Sequence, residues 1–330
     1  MVYVFICLAA PFSTFLRNRS IENQITYLSD ILDDGYDDEL QLRFPEGKLF
    51  SNSILALSAI EFCERNNIVD TDYSTVVDNC IKRIQSDGTL SIFSRIDEPK
   101  YGMFYNGWAN YVYSVYKKSK LFQYSSIQER VNQESRLIEE RLVSEQADSL
   151  RILDSYNGAS WPADNFIGII SLENNTVRED WVNSILNSTD HSPALVHHSG
   201  SNRSIIRGSS SAMITFCLSR LDFEEVYKYN RKYSETFIDE FLGIQLVKEN
   251  SDGSNKMDFD SGPVVFGYGA SATIMNIKTQ ASLNNEKSKF TWSAMNLISI
   301  PVNIFGKKYY LMKQEPMFDL FMLWGCVELN

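Results

Sequence analysis

The sequence predicts an all-α chain in which six helical hairpins close into a ring, an (α/α)6 toroid. Three observations carry this. Polar, one-sided helices alternate with helices that are small or apolar almost all round. Each apolar helix opens on a loop marked by Pro or Gly. Those openings, at Pro45, Met103, Pro162, Gly208, Ser261 and Pro316, recur every 46 to 59 residues. A period of about 50 with two helices per unit is the mark of a stacked or closed helical array. Six pairs is the number that closes a ring, and an open superhelix of helix pairs is the competing arrangement.

The outer, amphipathic helices are expected over 21–33, 74–85, 127–146, 177–187, 223–241 and 286–299. Ile127, Val131, Ile138 and Leu142 recur at helical spacing among Glu, Gln and Arg, and Phe223, Val226, Tyr233, Phe237 and Phe241 do the same. An apolar stripe at that spacing leaves the other face wet. The inner helices are expected over 47–65, 103–118, 164–172, 209–221, 262–279 and 317–327. Stretches such as SNSILALSAIEF and VVFGYGASATIM have no wet face, so they are read as buried on all sides. Gly267, Gly269, Ala270, Ser271 and Ala272 would permit close backbone approach. Asp-Gly and Asn-Gly dipeptides at 34–35, 87–88, 157–158 and 252–253 punctuate the connections. No linker rich in Pro, Gly or Ser divides the chain. The expectation is a single toroid domain over 21–330, preceded by an apolar segment, 1–20.

Composition narrows the function. The net charge is −11 with pI about 4.9, which argues against nucleic acid or an anionic membrane surface as partner. The five cysteines are odd in number and form no CxxC, and no HExxH occurs, so neither a metal nor another cofactor is expected. Residues 1–16 carry no charge and are mostly apolar, and Arg17 and Arg19 follow. Sixteen residues fall short of the roughly 20 that span a bilayer. The segment is read as a membrane anchor, a truncated spanning helix or a buried first helix. A spanning helix would leave the rest of the chain cytoplasmic.

In a toroid all inner helices start at one end of the ring, so their first residues face one funnel. The entrances read FPEG (44–47), YGMFYNGW (101–108), SWPADN (160–165), RGSSSA (207–212), DFDSGP (258–263) and EPMFD (315–319). Their ionisable residues are Glu46, Asp164, Arg207, Asp258, Asp260, Glu315 and Asp319. Asp164, Asp258 and Asp260 are the candidate catalytic carboxylates, because two carboxyls in one dry cleft split their pKa values as acid–base catalysis requires. Asp164 is equally explained as a helix cap, and one of Asp258 and Asp260 could cap the following helix while the other faces the funnel. Glu46 either compensates a helix dipole or lines the funnel. Arg207 before its Ser run either opens a helix or binds an anionic substrate group. Asn165 flanks Asp164 at the mouth. Tyr105, Trp108, Tyr156 and Trp161, with Tyr101, would stack on a sugar ring or fill core. His191, His197 and His198 share one low-order segment and read as surface loop, with His191 or His198 as a lid-borne base the sharper alternative. The DFDSGP entrance gives the most specific expectation: Gly262 and Pro263 start the fifth inner helix and Asp260 faces the cavity.

The hairpin period together with SWPADN, RGSSS and DFDSGP resembles the six-hairpin glycosidase-like superfamily over about 21–330. The resemblance implies a carbohydrate-active hydrolase, lyase or epimerase with its site at the funnel mouth, and the acidic entrances add the expectation of paired carboxylates acting on a small-molecule or oligosaccharide substrate. Such toroids also include a terpene alcohol dehydratase–isomerase and non-catalytic members. A lyase or isomerase for a lipid-like or terpenoid substrate, and a glycan- or partner-binding toroid, therefore stand as alternatives.

Overall fold

The computed structural model describes residues 13–93, 95, 97–147, 152–188, 198–199, 202–203, 206–221, 226–257, 261–311 and 315–329. The chain is mainly helical, and it divides into two compact units, 40–206 and 1–39 with 207–330. Among the described residues, helices α1 (Thr14–Asp33) and α2 (Tyr36–Arg43) come first, and the division falls within α2.

In unit 40–206, three buried helices lie side by side: α3 (Gly47–Asn66), α6 (Gly102–Lys118) and α8 (Pro162–Ser171). Amphipathic helices follow each of them: α4 (Thr71–Ile84) packs on α3, α7 (Gln128–Ala147) on α6, and α9 (Asn175–Ser188) on α7 and α8. A single turn, α5 (Asp87–Leu90), follows α4. Asp70 caps α4 by accepting the Asp72 N–H, and Pro162 opens α8 at the position where a missing N–H costs nothing. Gly107 and Gly168 set the α6–α8 approach. A Cβ on Gly107 would stand 2.9 Å from the Gly168 nitrogen, closer than real Cβ contacts come. Strands β1 (Ala159–Ser160), β2 (His198–Ser199) and β3 (Asn202–Arg203) form a small antiparallel sheet in that order.

In the other unit the buried helices are α10 (Gly208–Arg220), α12 (Ala270–Ser282) and α14 (Pro316–Glu328), with α11 (Val226–Phe237) and α13 (Lys287–Ile298) outside α10 and α12. The N-terminal α1 takes the outer place beside α14 and runs antiparallel to it, with Gln24 donating to the Asp319 carbonyl at 2.7 Å. Each buried helix except the last therefore pairs with the outer helix that follows it, and the last, α14, pairs with α1. The sequence reading paired outer before inner. Short turns such as 67–70 and 283–286 favour the observed order, because they return the chain at once.

The structure adds hairpins that the all-α expectation lacked. Hairpin β4 (Ile238–Phe241)–β5 (Ile244–Val247) follows α11, and β8 (Pro301–Ile304)–β9 (Lys307–Tyr310) follows α13. Their turns, Leu242-Gly243 and Phe305-Gly306, have φ of 51°, 79°, 50° and 76°. Two successive positive φ values make the turn that matches the twist of a two-residue hairpin. A third hairpin, β6 (Val264–Val265)–β7 (Tyr268–Gly269), corrects the reading of DFDSGP. Gly262 and Pro263 do not start a helix: α12 begins at Ala270, with Gly269 as its N-cap. Gly262 has φ 60° and Val264-Val265 favours strand, while Phe266-Gly267 (φ 52° and 84°) closes the hairpin, so turn chemistry outweighs proline's helix-start preference here. Gly267 and Gly269 accordingly lie in this hairpin, not within a helix.

Candidate functional site

At the start of α14 a cleft of about 240 Å3 is lined by Tyr27, Tyr309, Tyr310, Leu311, Glu315, Pro316 and Asp319. Its walls come from α1, β9 and the α14 entrance. Pro316 fixes the first helical position, which places Asp319 in the first turn one helical turn beyond Glu315. Glu315 is the N-cap residue of this helix, with extended backbone (φ −117°, ψ 103°), and both carboxyl residues line the cleft.

Asp319 is 2% exposed. Its Oδ2 accepts the Tyr310 backbone N–H at 3.3 Å, and its Oδ1 is buried with no hydrogen-bond partner among the described residues. Burial raises its carboxyl to about 7, against the Tyr310 N–H and the Lys308 charge, which favour the ionised form. Burial, the Asp319 carboxyl and the Tyr309 phenol together push Tyr27 up. The Tyr27 and Tyr309 rings lie 5.2 Å apart. The Tyr36 hydroxyl donates to Glu315 at 2.8 Å. A carboxyl that stays protonated near neutrality, beside a second carboxylate in the same cleft, is the equipment of proton transfer.

The chain contains its own comparison for this position. Val247 and Tyr310 end equivalent hairpins, and Thr273 and Asp319 are each the fourth residue of the next buried helix. The Val247 N–H donates to the Thr273 hydroxyl at 3.2 Å, as the Tyr310 N–H does to Asp319. A neutral hydroxyl therefore suffices for the structural bond, and the carboxyl of Asp319 is surplus to it.

The entrances of α6 and α8 hold the aromatic cluster the sequence singled out. Tyr156 packs against Trp161 (5.4 Å), Phe93 (5.6 Å) and Phe104 (6.1 Å), and Tyr105 packs against Tyr101 (5.6 Å) and Phe93 (5.7 Å). Tyr156 and Trp161 remain partly exposed, whereas Tyr105 and Trp108 are buried. Burial pushes the Tyr105 phenol up. Trp108 packs edge-on to Phe50 at 4.7 Å, which is core packing.

Asp164 lies partly exposed in the first turn of α8. Asn165 is fully buried and brackets a loop: its Oδ1 accepts the Leu153 N–H (2.8 Å), and its Nδ2 donates to the Leu153 (3.0 Å) and Trp161 (3.1 Å) carbonyls. Both amide hydrogens are used on backbone, so its evident work is to hold the entrance in shape. Glu46 is a buried N-cap residue of α3 whose side chain does not cap the helix. Arg207 does hold a carboxylate, but an internal one. Its Nε donates to Glu249 Oε1 at 2.7 Å, and the Ser209 hydroxyl donates to the same oxygen at 2.8 Å. Glu249 is 1% exposed and sits in a polar stretch, KENSDGSN, with no pattern to single it out. Asp258, Asp260, His191 and His197 lie outside the described residues, and His198 contributes its backbone to β2. Among the described residues no group of His, Cys, Asp or Glu is arranged to hold a metal, and no helix is long and apolar enough to cross a membrane.

Glu315 and Asp319 were among the entrance residues that the sequence collected, and what sets them apart from Glu46 and Asp164 is the cleft that they line together. No protein-family model matches this chain, and no curated protein matches it.

Proposed function

We propose that the chain is a carbohydrate-active enzyme of the (α/α)6-toroid kind, with Asp319 as general acid and Glu315 as the second carboxylate. The observation that carries this is Asp319 itself: it lines the cleft, its buried Oδ1 has no partner among the described residues, and it stands in a position where a threonine serves the preceding repeat. The threefold alternation of buried and outer helices in each unit, six in all, supports the toroid.

In this reading Asp319 protonates the leaving oxygen of a glycosidic bond. Glu315 then either attacks the anomeric carbon or activates a water. Carboxyl groups about 5.5 Å apart serve the first route and about 6.5–9.5 Å the second. The test is release of reducing ends from a panel of α- and β-linked oligosaccharides between pH 4 and 9. A general acid must hold its proton, so activity should fall as pH rises through about 7. Asp319→Asn should lower it by about 100-fold or more. An activity that survives Asp319→Asn, or that has no basic limb near neutrality, sinks the proposal.

A further inference from the structure

We infer that Lys308 is a positioning residue of this cleft: its buried side chain, held behind Tyr310, is the counter-charge that tunes the ionisation of Asp319. The inference rests on the proposed role of Asp319 and adds a second residue to it.

Lys308 is 3% exposed, which is rare for lysine unless the charge is compensated. Its Nζ donates to the Tyr310 hydroxyl at 2.9 Å and stands 4.8 Å from the Tyr310 ring centre and 5.1 Å from that of Trp292. Aromatic faces at that range stabilise a cation. The Tyr310 hydroxyl donates onward to Asn296 Oδ1 at 2.8 Å, and the Tyr310 N–H holds Asp319. One residue, Tyr310, thus fixes both the ammonium and the carboxyl, through opposite ends.

The preceding repeat again supplies the comparison. Lys308 pairs with Asn303 in its hairpin as Gln245 pairs with Glu240 in the other, one step in from the turn. Gln245 is buried and neutral, and its Oε1 accepts from Asn276 at 3.2 Å. One repeat therefore carries neutral Gln245 and Thr273, and the next carries Lys308 and Asp319 at the same two places. An acid and a base occupy the interior together here, and the Lys308 charge favours the ionised form of Asp319 against the burial that opposes it.

Among the described residues, several elements bring groups to this pair. From β9 come Tyr309 and Tyr310, from α1 Tyr27, and from the α14 entrance Glu315. Trp292 and Asn296 come from α13. Further along α14, the charges of Lys308 and Arg17 favour the thiolate of Cys326, yet burial dominates and raises that thiol to about 11. Cys326 therefore stays neutral through the range where Asp319 titrates.

The test is a carboxyl NMR titration of the full chain, wild type against Lys308→Gln, the residue of the preceding repeat. Loss of the cation should move the Asp319 titration up by about one pH unit or more. Lys308→Arg, which keeps the charge, should restore most of the wild-type value. An Asp319 titration that stays put in Lys308→Gln overturns the inference, even if Asp319 proves essential for turnover. A moved titration with no Asp319-dependent turnover upholds the coupling and sinks the enzymatic reading instead. Should Lys308→Gln fold poorly, the double variant Asp319→Thr/Lys308→Gln recreates the neutral pair and should fold better than the single one. No such rescue would also overturn the coupling.

Discussion

Replacing Asp319 by asparagine isolates its ionisation with almost no change of shape. The folded carboxyl titrates at about 7 because burial disfavours its charge, while an unfolded aspartate titrates at about 3.9. The folded pKa is the higher one, so between those values the folded chain keeps a proton that the unfolded chain has released. Stability from this group is complete below about pH 4, falls as pH rises towards 7, and is level above that. A difference of about 3 units corresponds to about 4 kcal/mol at most, since one unit is worth about 1.4 kcal/mol. Asparagine cannot titrate and can still accept the Tyr310 N–H. The assay is urea unfolding of both proteins from pH 4 to 8. The stability of Asp319→Asn relative to wild type should climb by a few kcal/mol across that range and then level off. Curves that stay parallel within about 0.5 kcal/mol would show that Asp319 is not held protonated, and the general-acid argument would fall with it.

The remaining expectations concern the scaffold. Asn165→Ala removes the partners of the buried Leu153 N–H and carbonyl and should cost about 2–4 kcal/mol in denaturant unfolding. Glu249→Ala leaves Arg207 without its buried carboxylate and should cost about 3–5 kcal/mol, whereas Glu249→Gln, which keeps an acceptor for Arg207 and Ser209, should cost less. Gly107→Ala forces a Cβ against the Gly168 backbone and should lower stability by about 1–3 kcal/mol; an unchanged melting temperature would contradict the close α6–α8 approach.

Helix identity was legible because an apolar stripe or an all-round apolar helix is a local pattern that needs no knowledge of neighbours. The buried α3, α6, α8, α10 and α14 begin within two residues of their expected starts. DFDSGP misled because Pro at a helix start and Pro before a hairpin look alike, and the decision lay downstream in Val264-Val265 and Phe266-Gly267. The β4–β5 and β8–β9 hairpins escaped notice because Leu-Gly and Phe-Gly lack the usual Asn or Asp at the first turn position.

The site divides along the same line. The sequence by itself collected Glu315 and Asp319 at a helix entrance, and it placed Tyr156 and Trp161 near one another. It had no means of ranking seven entrance ionisable groups, because their chemistry differs only through burial and partners. Tertiary structure decided that Asp319 is dry and that Arg207 is occupied by Glu249. It also showed that Asn165 holds a loop and that α1, nearly 300 residues away in the chain, completes the cleft. Desolvation and pairing are properties of what surrounds a side chain, and those surroundings come from segments far apart in sequence.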